Sequence, residues 1–497
     1  MSAERPMGLG ALTDVIAPER VSGMPVGEVR GLAYDSRAVR PGTLFFAVPG
    51  VHVDGHDFVP DALAAGAIGV VVERELPELS VPQLVVDRAR RALADAADAW
   101  FGRPSERLTV IGITGTDGKT TTSFLVADAL RAAGKRPGLI GTVAIDIGDE
   151  RRPNDDRNTT PEALELQEML AQMVEAGNDS VVLEATSHGL ELERTRNARF
   201  DVGVVTTVTS EHLELHGTVE RYRAAKARLV EEAPIAILNA DDGTFAYFRQ
   251  RARDRVLTYG TGADADLRAT NVRSDAAGSR FDLVAPGWNG EVRLPMPGSY
   301  NVSNALAALS VAYALDLDLS AGADALGRTA GVPGRMEGVD AGQPFAVVVD
   351  YAHTADSLAK VLRTLRPLTQ GRLIAVFGSA GERDATKRPA MGAVSAELAD
   401  VTIVTDEDPR LEDPRVINEA IAAGARHGGA RDGDSLLVID DRREAIRRAV
   451  AMARAGDVVL LAGKGHEGSM FYGDVKRPWD DRAAARDALR EHGWSGS

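Results

Sequence analysis

Thr114-Gly115-Thr116-Asp117-Gly118-Lys119-Thr120-Thr121 follows the apolar run Leu108-Thr109-Val110-Ile111-Gly112-Ile113 and precedes a helix-like segment, Thr120 to Ala133, that stops at Gly134. A buried strand that turns through glycines into a helix presents backbone N–H groups to an anion. Gly115 and Gly118 let the backbone approach without a Cβ in the way, and the helix N-terminus adds positive potential. Lys119 supplies a mobile charge for β/γ-phosphates, and the Thr120 hydroxyl can ligate Mg²⁺. The octapeptide therefore reads as a phosphate loop for a nucleotide triphosphate. Its spacing, Gly-x-x-Gly-Lys-Thr, lacks the first glycine of the common form, so placement between strand and helix carries the reading.

Composition narrows what such a loop can serve. At 497 residues the chain exceeds one ordinary core and suits about two to four domains, with three expected. Its 44% hydrophobic and 26% charged residues are those of a globular protein. It has no run of about 18 apolar residues and no apolar core of a leader peptide near its start, so we expect a cytoplasmic protein without membrane insertion. The absence of cysteine excludes disulfides, thiolate metal sites and thioester activation. Any acyl chemistry must then be activated by phosphate. A formal charge of −16 argues against a nucleic-acid partner, and anionic ligands must be gripped by local Arg and Lys.

From Met24 to Asp87 short apolar runs, 43–48 and 67–72, alternate with Pro/Gly punctuation, which predicts a small α/β domain ending near Arg103-Pro104. The loop-bearing unit continues through apolar runs at 180–184, 202–206 and 235–239, separated by helical stretches, and so predicts a mostly parallel sheet. Residues Arg268 to Leu294 alternate like antiparallel strands. Beyond Gly331-Val332-Pro333-Gly334 a third unit repeats the α/β rhythm at 345–350, 373–377, 401–404 and 457–461. Several of these strands run into polar or glycine-rich residues, where an open parallel sheet gathers its ligands.

Three segments of the second unit can supply chemistry. Glu184-Ala185-Thr186-Ser187-His188 follows a strand and offers a carboxylate, Ser210-Glu211-His212-Leu213-Glu214 offers an imidazole, and Ala224-Ala225-Lys226-Ala227-Arg228 sits on a helix. Each alone has a plain structural reading as a helix cap, a structural His or a solvated Lys. Together they resemble the Mur ligase family, over nearly the whole chain. The same order continues in Asp35-Ser36-Arg37, Asp54-Gly55-His56, Asn158-Thr159-Thr160-Pro161, Asn301-Val302-Ser303-Asn304, Gly334-Arg335-Met336-Glu337, Asp350-Tyr351-Ala352-His353, Gly381-Glu382-Arg383-Asp384, Asp408-Pro409-Arg410 and Gly463-Lys464-Gly465-His466-Glu467. The likeness is strongest to members that add the third residue, a diamino acid, to UDP-N-acetylmuramoyl-L-alanyl-D-glutamate.

The resemblance implies an α/β fold of three domains, with a central P-loop ATPase sheet and a C-terminal Rossmann-like domain. Its divisions would be a UDP-substrate-binding domain over 1–104, an ATP-binding domain over 105–333 and an amino-acid-binding domain over 334–497. It implies an ATP-dependent acid–amino-acid ligase acting through an acyl phosphate in peptidoglycan precursor synthesis, a monomer whose partners are the UDP-muramyl dipeptide, ATP and a diamino acid. Thr120, Glu184, His212 and a carbamylated Lys226 match its Mg²⁺ site, and Lys119, Lys226 and His212 its catalytic set. An ammonium at Lys226 would repel the metal, so carbamylation has an electrostatic rationale. ATP would be held by Thr114, Gly115, Thr116, Asp117, Gly118, Lys119, Thr120 and Thr121, with Asn304, Arg335, Asp350, Tyr351 and His353, between the second and third domains. Ser36, His56, Asn158, Thr159, Thr160, Thr186 and Arg194 match its UDP-substrate contacts, and Arg383, Asp408, Arg410, Gly463 and Glu467 its amino-acid contacts. Departures are Thr186 for Ser, Leu192 for Gln, Asp117 for Asn and Ala355 for Pro. Only Leu192 loses hydrogen bonding.

The added residue is expected to be meso-diaminopimelate, L-lysine or L-ornithine. Members using diaminopimelate commonly show Asp-Asn-Pro-Arg, whereas this chain has Glu407-Asp408-Pro409-Arg410. Arg383 and Arg410 keep a carboxylate clamp available. Asp408 repels a distal carboxylate and attracts a bare ammonium, which tilts the expectation toward lysine or ornithine. Competing readings are another Mur-type or folylpolyglutamate-type ligase and an ATP-hydrolysing conformational switch. A switch needs no lysine prepared to become anionic.

Overall fold

The computed structural model describes residues 6–50, 53–77, 79–154, 158–209, 216–275 and 278–495. The chain divides into two compact units, Met1–Thr270 with Asp282–Val292 and Ser303–Leu326, and Asn271–Phe281 with Arg293–Val302 and Gly327–Ser497.

Besides the short antiparallel pair Met7–Gly8 with Glu28–Val29, the first unit contains a five-stranded sheet and a larger one. The five-stranded sheet orders the strands Arg20–Ser22, Gln83–Val85, Gly69–Val72, Thr43–Phe46 and Gly31–Ala33. In the larger sheet Thr109–Thr114 lies between Ser180–Glu184 and Val202–Val205, parallel to both. Pro137–Ile140 extends one side, and Ile235–Asn239 and Arg255–Gly260 extend the other, all parallel. Arg268 to Leu294 forms the strands Leu267–Asp275, Gly278–Ala285 and Trp288–Leu294. The central strands are buried along nearly their whole length, which explains their unbroken apolar runs. The chain leaves Thr109–Thr114 toward Pro137–Ile140 on one side, and from Ser180–Glu184 it crosses back over to Val202–Val205 on the other, so the strand order reverses about Thr109–Thr114 and its carboxyl end is a switch point where an open sheet forms a ligand crevice. Register places Glu184 opposite Ile113 and Val205 opposite Thr114, which delivers three functional segments to one edge.

Within this unit the small sheet is tied to the large one by ion pairs. Arg88 and Arg91 meet Glu193, Arg90 meets Glu162, and Arg196 meets Asp95. Tyr34 donates its hydroxyl to Glu165 at 2.9 Å.

The second unit is built on a sheet ordered Glu337–Gly338, Ala346–Asp350, Val458–Ala462, Leu373–Phe377, Val401–Val404 and Leu436–Val438. Apolar clusters cover both faces. At the carboxyl ends of its strands Arg442 is fully buried against Asp481, with bonds of 2.8 and 2.7 Å. The same guanidinium donates to the Ala462 and Asp406 carbonyl oxygens, so it fixes the two segments that open into Glu407–Arg410 and Gly463–Glu467. Removing one partner of such a pair leaves a buried uncompensated charge. Asp481→Ala should therefore lower the unfolding free energy by about 3–5 kcal/mol, and Arg442→Met added to it should recover part of the loss. Urea unfolding measures both. A single-variant loss under about 1 kcal/mol would mean that solvent reaches the pair.

Candidate active site

The phosphate loop is held open by its own backbone. Gly115 has φ +154° and Gly118 φ +86°, and a Cβ on Gly115 would strike the Thr206 hydroxyl, one on Gly118 the Asn304 side chain. Thr206 Oγ1 donates to the Asp117 and Thr114 carbonyl oxygens at 2.6 and 3.1 Å, which ties the loop to the neighbouring strand. The helix then begins at Lys119 and runs to Ala132. Lys119 Nζ donates to the Gly115 and Thr116 carbonyl oxygens, both at 3.0 Å.

Glu184 is fully buried at the end of its strand. Its carboxylate accepts from Thr120 Oγ1 at 3.0 Å, from Thr142 N at 3.0 Å and from Thr142 Oγ1 at 2.9 Å. Lys226, 2% exposed, reaches from the helix Val219–Glu232 to donate to the Gly115 carbonyl at 2.7 Å, with its Nζ 4.5 Å from the Tyr222 ring centre. The Tyr222 hydroxyl lies 2.8 Å from Thr116 Oγ1.

A cavity of about 380 Å³ opens beside these groups. Gly115, Thr116 and Lys119 line one side with Lys226 and Tyr222, and Asn158, Thr159, Thr186, Ser187, His188 and Arg194 complete it. Thr160 lies behind this wall, where its hydroxyl bonds the Glu184 carbonyl and Thr186 Oγ1. Thr186 caps the helix Ser187–Glu191 by accepting from Gly189 N, and Arg194 is held by the Thr160 carbonyl and Glu162.

In the second unit Asp350 is buried and accepts from Met336 N and Ala352 N, both at 2.8 Å. Burial pushes its carboxyl up, against the lowering influence of Arg335. Arg335 stacks over Tyr351 at 4.8 Å, and burial drives the His353 imidazole below its usual range. Beside them Lys464, fully buried, donates to Asp408 at 3.1 Å and to Glu467 at 2.5 Å. Glu407 faces Gly463, where any Cβ would stand 2.5 Å from Glu407 Oε2. Burial pushes the Glu407 carboxyl up to about 7, although Lys464 and Lys387 pull the other way.

Family models match three parts of the chain: residues 28–101 as "Mur ligase family, catalytic domain", 113–312 as "Mur ligase middle domain" and 334–465 as "Mur ligase, glutamate ligase domain". The chain belongs to the Mur ligase family. As a Mur ligase it is an ATP-dependent ligase of peptidoglycan synthesis. A UDP-N-acetylmuramyl-tripeptide synthetase of Roseiflexus sp. (strain RS-1) is 50% identical, across 94% of this chain and 96% of its own. A UDP-N-acetylmuramoyl-L-alanyl-D-glutamate--2,6-diaminopimelate ligase of Geobacillus thermodenitrificans (strain NG80-2) is 43% identical, across 93% and 95%. A solved structure of a ligase with that same name superposes with a TM-score of 0.72 at 33% identity, covering 98% of this chain and 99% of that one.

The structure brings Lys119, Lys226, Asn158, Thr159, Thr186 and Arg194 to one cavity of this Mur ligase, and it puts Thr120 on Glu184 and Asn304 beside Gly118. His212 lies outside the described residues. His56 is buried, with Nδ1 2.6 Å from Asp54 and Nε2 accepting from Glu73 N, so both ring nitrogens are engaged within its own domain. Ser36 starts a short 3-10 turn capped by Asp35. Arg383 is exposed, and Arg410 has φ +55° with its N–H bonded to Phe471 O. Asp408 is not the bare anion that the sequence implies, because Lys464 and Phe471 N both donate to its Oδ1. Sequence reasoning missed Thr142 and Tyr222. A Gly-Thr turn closing a third buried strand was the available signal for Thr142; Tyr222 carried none.

Glu407 yields a pH prediction. Raised from 4.5 to about 7, its carboxyl keeps a proton in the folded chain that the unfolded chain has already released. Stability therefore falls as pH rises across that window, and the contribution is gone above it. Glu407→Gln removes the titration, so the difference from wild type should move in the variant's favour by on the order of 1–3 kcal/mol between about pH 5 and about pH 8. Urea unfolding at both values checks this, and an unchanged difference means that Glu407 titrates as an ordinary carboxyl.

Proposed function

We propose that this chain adds a diamino acid to UDP-N-acetylmuramoyl-L-alanyl-D-glutamate, with ATP phosphorylating the acceptor carboxylate and the amine then displacing phosphate. What supports the reading is the cavity, where phosphate-binding backbone and Lys119 face hydroxyls, an amide and Arg194 suited to an anionic acceptor. A carboxylate is a poor electrophile at neutral pH, and phosphorylation turns one oxygen into a leaving group. Lys119 and the loop N–H groups hold the phosphates, while Arg194 and Thr186 orient the acceptor. The names of both curated relatives, a tripeptide synthetase and a diaminopimelate ligase, agree with this chemistry.

The donor set fits Mg²⁺, since the Glu184 carboxylate and Thr120 hydroxyl are hard oxygens 3.0 Å apart, next to the loop that takes phosphate. Thr120, Glu184 and His212, with a carbamylated Lys226, would hold it. When bound, Mg²⁺ neutralises charge on the transferring phosphoryl group. Lys226 is buried within reach of the loop, where a carbamate oxygen replaces the ammonium's repulsion with attraction.

Asp408 governs the choice of diamino acid. Its charge is shared with Lys464, yet an ionised carboxylate offers no N–H to a distal carboxylate, whereas it accepts readily from an ammonium. Lysine and ornithine are therefore favoured over diaminopimelate.

Lys226→Ala should abolish ligation, and added CO₂ or short carboxylates should restore part of it. Near-normal turnover would remove Lys226 from the site. Phosphate release should require both the UDP-dipeptide and an amine, and Lys119→Ala should lose several kcal/mol of transition-state stabilisation, on the order of a thousandfold in rate. Rapid ATP hydrolysis without acceptor would favour the conformational switch. Asp408→Asn should shift kcat/KM toward diaminopimelate, relative to lysine and ornithine, by about tenfold, or about 1.4 kcal/mol. The three amino acids assayed on wild type and variant decide it. A strong wild-type preference for diaminopimelate would reverse the assignment.

A further inference from the structure

Ser187, on the cavity wall, has its Oγ 3.0 Å from His216 Nε2, and Nδ1 of the same ring lies 2.5 Å from a Glu191 carboxylate oxygen. Ser187 and His216 are buried, whereas the Glu191 side chain is 43% exposed. Three exchangeable groups thus lead from the cavity to the surface, each within 3.0 Å of the next. The helix Ser187–Glu191 contributes the first and last, and His216 stands just before the helix Val219–Glu232. Around the imidazole are the rings of His188 and Tyr222, each 5.3 Å away, and Arg228 donates to the Leu190 and Glu191 carbonyl oxygens. A tether between the two helices would account for a buried His. It would not require one ring nitrogen hydrogen-bonded to a cavity hydroxyl and the other in close ion-pair contact with a half-exposed carboxylate, at an angle off that of a hydrogen bond.

We infer that Ser187, His216 and Glu191 conduct out of the cavity the proton that the attacking amine gives up, an inference that rests on the ligase reading above. In that reaction the nitrogen lone pair forms the C–N bond, the C–O bond to phosphate breaks, and its electron pair leaves with phosphate. An ammonium enters with three N–H protons and the amide keeps one. One of the two lost goes to the departing phosphate, which leaves as hydrogen phosphate; the other is taken by Ser187 Oγ as its own proton passes to His216 Nε2. The proton on Nδ1 passes to Glu191, which returns it to water. This sequence uses the tautomer with the ring proton on Nδ1. Ser187 is the catalytic residue; His216 and Glu191 are positioning residues that act through it.

The test compares two nucleophiles, the diamino acid and hydroxylamine, which is already neutral at assay pH and captures an acyl phosphate without a base. In Ser187→Ala, His216→Gln and Glu191→Gln, kcat with the diamino acid should fall about tenfold to a hundredfold, while hydroxamate formation stays within about threefold of wild type. Equal losses with both nucleophiles would show a structural role and overturn the relay, as would no loss with either. If His216→Gln does not fold, the exposed Glu191→Gln decides alone. A wild-type enzyme that forms product with the diamino acid but no hydroxamate overturns the acyl-phosphate reading, and the relay with it.

Discussion

A carboxylate withdrawn from water at the end of a central strand must be compensated or it destabilises the fold by several kcal/mol. Glu184 meets this requirement with hydroxyls and an amide from two separate elements: Thr120 and Ser123, one turn apart on the helix after the phosphate loop, and Thr142 from the turn after Pro137–Ile140. Each bond also positions its donor. The Thr120 hydroxyl is turned toward the strand end, and Gly141 must lack a Cβ because one would collide with the Glu184 carboxylate. The demand of one buried anion thereby fixes the mouth of the phosphate loop, the turn beside it and, through Thr160 on the Glu184 carbonyl, the wall that carries Thr186 and Arg194.

The second unit solves a related problem with whole charges. Lys464 is shared between Asp408 and Glu467, and Arg442 pairs with Asp481, all at the carboxyl ends of one sheet. Glu407, beside them, is buried, and burial holds its proton against the pull of Lys464 and Lys387. Strand ends so loaded with ions hold their loops in fixed positions, which suits recognition of a zwitterion carrying several charges of its own.

The phosphate loop and its flanking strand and helix were legible because glycine spacing and apolar period agree. The expected strand 108–113 is observed as Thr109–Thr114, and the expected helix from Thr120 begins one residue earlier. The apolar runs of the third unit likewise became strands at their expected places. Lateral strand order was not legible, since parallel pairing joins segments many residues apart. The supports of Glu184 are hard to read for a chemical reason: isolated Thr and Ser residues serve caps and turns throughout a chain, so Ser123 carries no distinctive pattern and Thr142 only that of a Gly-Thr turn after a buried strand. From sequence Asp408 is an unopposed anion, because its partner, Lys464, lies 56 positions away. His56 was read as facing a ligand, and only the folded loop reveals how Asp54 and Glu73 occupy its two nitrogens.

Lys119 donates to the Gly115 and Thr116 carbonyl oxygens, and Lys226 donates to Gly115 as well. Binding a nucleotide at this loop is consequently an exchange reaction. A hydrogen bond that Lys119 moved from these carbonyls to a phosphate oxygen would be lost to the backbone, so the net enthalpy would be a difference between two occupied states. Affinity inferred by counting phosphate contacts will exceed what is measured, and a thermogram of binding should show less heat than the contact list implies. The same competition would shorten the residence of a nucleotide held by Lys119, because two carbonyls accept from the lysine when no phosphate does.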